Sequence, residues 1–267
     1  VDSERVTISV ADHVADVRMV RADKHNGLDW RMFVALNEAL DELSSADGVR
    51  AVVLSGEGPS FCAGLDFKSF AEGNGDLAGD GFAAVEGSIA NYAQRVAYGW
   101  RELEVPVIAA LRGACIGGGL QIALGADVRI AAPDTKLSVM EVHYGLVPDM
   151  SLWQTLPRLV GDDVARELAY TARMVEANEA LALGLVTRIE DDPAAAAREL
   201  AAAIAARSPD TIRRIKRLAN ETPKLSAAEG LALEAELQKE LIGSPNQIAA
   251  VTAAMGGQPA EFSRTNH

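Results

Sequence analysis

Apolar and polar positions alternate along Val6–Val10 and again along Val14–Met19, the pattern of two half-buried strands joined across Ala11-Asp12-His13. From Asp29 the period changes to that of a helix. Phe33, Leu36, Leu40 and Leu43 fall on one face of a segment reaching Ser44. Ala51–Leu54 and Val105–Leu111 are short, wholly apolar runs that follow helical segments, as parallel strands buried on both faces do. Between them, Val85, Ile89, Tyr92, Val96 and Trp100 predict one long helix over Phe82–Leu103. Gly117 to Gly119 open a further apolar helix to Ala126. A strand at Val128–Ala132 and an irregular segment to Asp149 come next. Short helices are expected at Trp153–Val160, Val164–Thr171 and Ala177–Leu183, then a strand at Leu185–Ile189. Beyond it, Pro193–Arg207, Thr211–Asn220, Ser226–Leu241 and Asn246–Met255 all read as helix. The pattern predicts an α/β core over residues 1–200 and a helical region over 201–267, apolar on one face, which suits packing against the core or another subunit. Glu72–Gly81, with four glycines, an asparagine and three acidic residues, reads as a lid or insertion.

The 267 residues carry a formal charge of −13, which disfavours general binding to nucleic acid or an anionic membrane but leaves room for a small anionic ligand on a local basic patch. No run of about 18 apolar residues and no signal-peptide pattern occurs, so a cytoplasmic protein is expected. Cys62 and Cys115 fit no zinc spacing and read as small core residues; His13, His25, His143 and His267 are scattered. No metal is therefore expected. His143, two residues from Glu141, is the one histidine close enough in sequence to enter a site. Trp30, Trp100 and Trp153 read as packing residues. The glycine pattern of a dinucleotide fold, the phosphate loop, the H-E-x-x-H zinc motif and the G-x-S-x-G nucleophile elbow are all absent.

The candidate chemistry lies in Arg112–Asp149. Three glycines at a helix entry let a ligand approach the backbone, and the first N–H groups of a helix have no intrahelical partner. Such a turn receives negative charge on oxygen. A second glycine-bearing loop, Ala63-Gly64-Leu65-Asp66, follows another buried strand. If the two strands are neighbours, the loops share one sheet edge and their amides converge. Glu141 and Asp149 then supply carboxylates for proton transfer.

The fragments RADKHNGL, AVVLSGEGPSFCAGLDFKSF, PVIAALRGACIGGGLQIALGADVRIA, MEVHYGLVPDMSLWQTLPRLVG and ARMVEANEALALGLVTRI cover most of residues 20–190. In this order the chain resembles the crotonase family, the enoyl-CoA hydratase/isomerase superfamily. The resemblance implies a crotonase-like spiral of ββα repeats with a C-terminal helical trimerisation region, assembled as a homotrimer or homohexamer. It implies a coenzyme A thioester as substrate and no separate cofactor. In that reading the N–H groups of Leu65 and Gly118 form an oxyanion hole, flanked by Ala63, Asp66 and Gly117. Ala22, Lys24 and Lys68 lie near the coenzyme A nucleotide, and Phe262 reaches a neighbouring subunit's coenzyme A. Family hydratases carry a glutamate where this chain has Gln121, and a second at Glu141. An amide cannot take or give a proton, so double-bond isomerisation by Glu141, with Asp149 as partner, is favoured over hydration. The alternatives are a hydratase, a catalytically weak acyl-CoA binder, or related thioester hydrolysis or dehydration. An RNA-binding relative is disfavoured by the charge.

Overall fold

The computed structural model describes residues 1–73, 75, 77, 79–257 and 260–263. The chain runs β1 (Val6–Ala11), β2 (Val14–Met19), α1 (Trp30–Ser44), β3 (Ala51–Gly56), α2 (Phe67–Ala71), α3 (Tyr92–Glu102), β4 (Val107–Leu111), β5 (Ala114–Ile116), α4 (Gly118–Gly125), β6 (Val128–Ala131) and β7 (Lys136–Ser138). It continues through α5 (Leu152–Thr155), α6 (Pro157–Val160), α7 (Asp162–Thr171), β8 (Val175–Glu176), α8 (Ala177–Leu183), β9 (Arg188–Ile189), α9 (Pro193–Ala205), α10 (Pro209–Glu221), α11 (Ala227–Leu241) and α12 (Pro245–Gly256).

One sheet has the order β1-β2-β3-β4-β6-β9, parallel everywhere except the β1/β2 hairpin. Alternate residues of its central strands serve two different cores, as the two-residue repeat of a strand requires. Val52, Leu54, Val107, Ala109 and Leu111 pack into the main core with α1, α3 and α4. Ala51, Val53, Ile108, Ala110 and Ile130 pack against Ala197 and Ala201 of α9, whose small side chains let that helix lie close to the sheet. A second sheet, β5-β7-β8, runs beside the first. It is continued by isolated parallel pairings of Cys62 with Cys115 and of Leu28 with Leu65. β3 and β4 each hand the chain to a short pairing beside the first sheet and then to a helix, which is the ββα unit the resemblance implies.

The expected single helix over Phe82–Leu103 is corrected. Only Tyr92–Glu102 is α-helix; Asp80–Phe82 is a 3-10 turn. Asn91 and Gln94 form a reciprocal capping box that starts the helix there. Gly87 turns at φ +78°, and Ile89, placed along the expected helix, lies outside it and is 81% exposed. The three strands of the second sheet were not anticipated, and the last strand of the first sheet is confined to Arg188–Ile189. Of the expected lid, Asn74, Asp76 and Ala78 lie outside the described residues, as does His267. Cys62 and Cys115 are fully buried free thiols, as expected. Trp100 is fully buried, with its indole N–H donating to Val96 O at 2.8 Å. The helical tail is tied to the core by the buried Lys216 of α10. Its ammonium donates to Trp100 O (3.0 Å) and Val105 O (2.8 Å) and pairs with Asp127 at 2.9 Å. Among the described residues no helix is long and apolar enough to cross a membrane.

Candidate active site

β3 and β4 are parallel neighbours, so the chain leaves both at the same edge. Beyond that edge Cys62 and Cys115 pair: Cys62 N–H donates to Ala114 O and Ile116 N–H to Cys62 O, both at 3.0 Å. Three residues further along each strand stand Leu65 and Gly118. The two loops are in contact. A Cβ on Gly64, which sits at φ +87°, would lie 2.8 Å from Ile116 O and 3.7 Å from Gly118 N. A side chain at Gly64 would therefore both strain the backbone and wedge the loops apart.

Planar trans peptides fix where the two amides point, because C=O and N–H of one peptide face opposite ways. Gly64 O accepts from Leu28 N–H at 2.8 Å, so the Leu65 N–H of the same peptide points away from Leu28. Gly117 O accepts from Gln121 N–H at 3.0 Å, directed along α4, so the Gly118 N–H points out of the helix start. Gly117 itself adopts φ 54°, ψ −123°, a conformation open to glycine. Leu65, Gly117 and Gly118 all line one cavity of about 460 Å³, together with Ala63, Gln121, Glu141 and Asp149. The rest of its wall is apolar and aromatic, including Leu28, Phe33, Leu77, Phe82, Ala93 and Met150.

Gln121 is on α4, every residue of which is buried. Its amide is oriented from two sides. Oε1 accepts from Leu152 N–H at the start of α5 (3.2 Å), and Nε2 donates to Glu141 Oε1 at 2.6 Å. Glu141 begins a 3-10 turn, Glu141–Tyr144, and is 9% exposed. Its second oxygen, Oε2, is buried with no hydrogen-bond partner among the described residues. Burial pushes the Glu141 carboxyl above the usual range and the charge of Asp149 adds to the push. Its own backbone N–H and the Gln121 amide partly offset this. Asp149 lies on the open side of the cavity, and partial desolvation raises its carboxyl as well. The arrangement is one carboxylate with one oxygen tethered and the other without a partner among the described residues, in a cavity that Leu65 and Gly118 also line.

The other expected site residues are distributed differently. Asp66 caps α2, accepting from Ser69 N–H at 3.1 Å, and holds Arg21 at 2.7 Å. Lys24 and Lys68 line an adjoining groove with Arg21, Asp66 and Ser69. Ala22 packs near Gly58, outside the cavity. Phe262 does not line the cavity. Its carbonyl accepts from Arg50 at 3.2 Å and its ring lies 6.0 Å from that guanidinium, just before β3 and hence at the opposite end of the strand from the site. His143 stays outside the cavity against the Tyr144 ring.

The sequence model described as enoyl-CoA hydratase/isomerase matches residues 9–254. The chain belongs to this family. A human protein named mitochondrial Delta(3,5)-Delta(2,4)-dienoyl-CoA isomerase is 34% identical over 262 residues, covering 94% of this chain and 79% of that protein. A Bacillus subtilis protein named probable enoyl-CoA hydratase is 32% identical, covering 96% and 98% of the two chains. The crystal structure of enoyl-CoA hydratase from Bacillus anthracis superposes with a TM-score of 0.89 at 27% identity, over 97% of this chain and 98% of that one. The crotonase-type α/β fold read from the sequence is thus the fold of the molecule. Within this enoyl-CoA hydratase/isomerase fold, sequence reasoning missed Leu152, whose amide orients Gln121, and the cavity role of Phe33, whereas Leu77, Phe82 and Ala93 fall in the 72–98 stretch expected to shape the acyl pocket. Phe33 was legible only as a core position of a helix, because nothing in its spacing separates a core wall from a cavity wall.

Proposed function

We propose that the chain is an acyl-CoA isomerase that moves a double bond in 3-enoyl- or 3,5-dienoyl-CoA thioesters. The observation that carries this is the Gln121–Glu141 pair: a single buried carboxylate, held by an amide that donates but cannot exchange a proton. Glu141 Oε2 takes a proton from C2 of the acyl chain. The electron pair moves onto the thioester oxygen, where the Leu65 and Gly118 N–H groups receive the charge. When the carbonyl re-forms, the displaced π electrons take the proton back from Glu141 at C4, or, in a dienoyl chain, at C6 with Asp149 as partner. No atom is gained or lost and no activated water is needed. A raised Glu141 pKa suits a group that must both accept and return the proton.

The acyl group is an uncharged hydrocarbon. Among the described residues no lysine, arginine or histidine lines the cavity, so a second carboxylate on the chain would be buried without a partner beside Glu141 and Asp149. The coenzyme A nucleotide follows the groove of Lys24 and Lys68 past Ala22, and coenzyme A, as part of the substrate, is the only cofactor called for. Exposed Leu231, Ile242, Ile248 and Met255 on and beside α11 and α12 support assembly of the helical tail into a homotrimer or homohexamer, in which Phe262 serves a neighbouring copy. A hydratase reading keeps one specific support, since an amide at Gln121 can still hold a water.

A panel of 2-enoyl-, 3-enoyl- and 3,5-dienoyl-CoAs tests the proposal. Bond migration should outpace addition of water, and Glu141→Gln should abolish it. Rapid hydration of 2-enoyl-CoA with unaffected turnover in Glu141→Gln rejects it.

A further inference from the structure

Behind the Leu65 loop lies a closed array of four charges. Arg21, just past the end of β2, is 12% exposed. Its NH1 donates to Gly27 O at 2.8 Å and its NH2 to Asp66 Oδ2 at 2.7 Å, while Asp29 Oδ2 stands 3.5 Å from NH2. Arg5 grips the same Asp29 with Nε (3.1 Å to each oxygen) and NH2 (2.8 Å). The Arg21 backbone N–H donates to Asn26 Oδ1 at 2.8 Å, and Asn26 in turn donates to Glu57 O and Ser60 O. Asp66 is the residue directly after Leu65. Its own N–H donates to Leu28 O at 3.0 Å, and Leu28 N–H donates to Gly64 O, so Leu65 is bracketed on both sides by the turn that Arg21 holds. Partial burial alone would raise the Asp66 carboxyl, but the Ser69 N–H and the Arg21 guanidinium outweigh it and keep the group ionised.

We infer that Arg21 is a positioning residue for the oxyanion cradle, clamping the turn from Asn26 to Asp29 and the Asp66 carboxylate so that the Leu65 N–H stays aimed into the cavity. The cradle needs such a clamp. The Leu65 amide follows Gly64, a residue with no Cβ to restrict its backbone, and a peptide that can turn does not stabilise a developing charge without reorganisation. The guanidinium suits the task because its fixed fork engages three oxygens on two different loop segments. Two of its five donors are engaged by Gly27 O and Asp66 Oδ2, with Asp29 Oδ2 as a further charge partner.

This inference rests on the cradle reading above, and the test separates the two. A 3-oxoacyl-CoA, whose enolate has its own near-ultraviolet band, reports the cradle directly. Wild-type protein should raise the bound enolate fraction. Arg21→Met should lower the enolate affinity by roughly tenfold to a hundredfold, short of the full effect of deleting a donor. Its affinity for a saturated acyl-CoA, which develops no such charge, should fall by a distinctly smaller factor than its affinity for the enolate. The paired variant Arg21→Gln with Asp66→Asn, which replaces the ion pair by a neutral hydrogen bond, should recover part of the enolate signal. An Arg21→Met protein with the wild-type enolate fraction overturns the clamp and leaves the cradle standing, as does a folded pair without recovery. A wild-type protein that binds acyl-CoA but never raises the enolate fraction overturns both.

Discussion

Replacing Gln121 by glutamate puts a second carboxylate where an amide now donates to Glu141 Oε1 at 2.6 Å. One oxygen of the new side chain keeps the Leu152 N–H as donor; the other faces Glu141 across the same gap. With charge centres about 4 Å apart and an effective dielectric near 20, two carboxylates repel by about 4 kcal/mol. That equals about a thousandfold in proton affinity, so the pair holds one shared proton at neutral pH and titrates in two steps that belong to the pair. A group able to give a proton then stands beside one able to take it, which is what addition of water to a 2-enoyl-CoA requires. Hydration, followed as loss of the conjugated thioester absorbance, should rise by about a hundredfold or more. Its pH profile should become bell-shaped. Migration of the double bond in 3-enoyl-CoA should persist, because Glu141 Oε2 is untouched. A folded Gln121→Glu protein with unchanged hydration and an unchanged pH profile refutes the division of labour between these two residues.

Two further outcomes follow from the same cavity. Burial raises the folded-state pKa of Glu141, so the stability this group contributes is fully present below its unfolded pKa and is lost as pH rises through the folded one. Glu141→Gln should therefore melt higher than wild type at neutral pH, by the order of 1 kcal/mol gained when a strained site group is neutralised. The gap should close as pH falls. A lower melting point at neutral pH contradicts it. Each methylene of a saturated acyl-CoA buried in the cavity should tighten binding about fourfold until the space is full. Ala93→Leu, which adds three carbons to the α3 wall, should then move the best-bound chain shorter by about two or three carbons in a calorimetric series. An unshifted series places the acyl chain elsewhere.

Much of this arrangement is legible in the residue order because burial imposes a period. β3 and β4 read as strands since both faces of the sheet are covered, and α1 reads as a helix since one face packs on the sheet. The two glycine loops stand out because close approach excludes side chains there. What stayed hidden depends on partners far along the chain. The Arg5–Asp29 and Arg21–Asp66 bonds join residues 24 and 45 positions apart. Gln121 can be recognised as an amide in place of an acid, but the direction it faces is set by an N–H 31 residues away. β5, β7 and β8 have two or three residues each, too few for any alternation to register. The late start of α3 was written in Asn91 and Gln94, yet the apolar spacing of Val85 and Ile89 masked it.

The central claim is that two backbone amides hold the charge on a thioester oxygen while Glu141 moves the neighbouring proton. Exchange of the C2 protons of a 3-enoyl-CoA in heavy water, followed by nuclear magnetic resonance, isolates that step from bond migration and from hydration. Wild-type protein should exchange them readily. Glu141→Gln should be slower by about a hundredfold or more, and Gly118→Pro, which removes one donor, by a similar factor. Exchange at the wild-type rate in either folded variant would contradict the account.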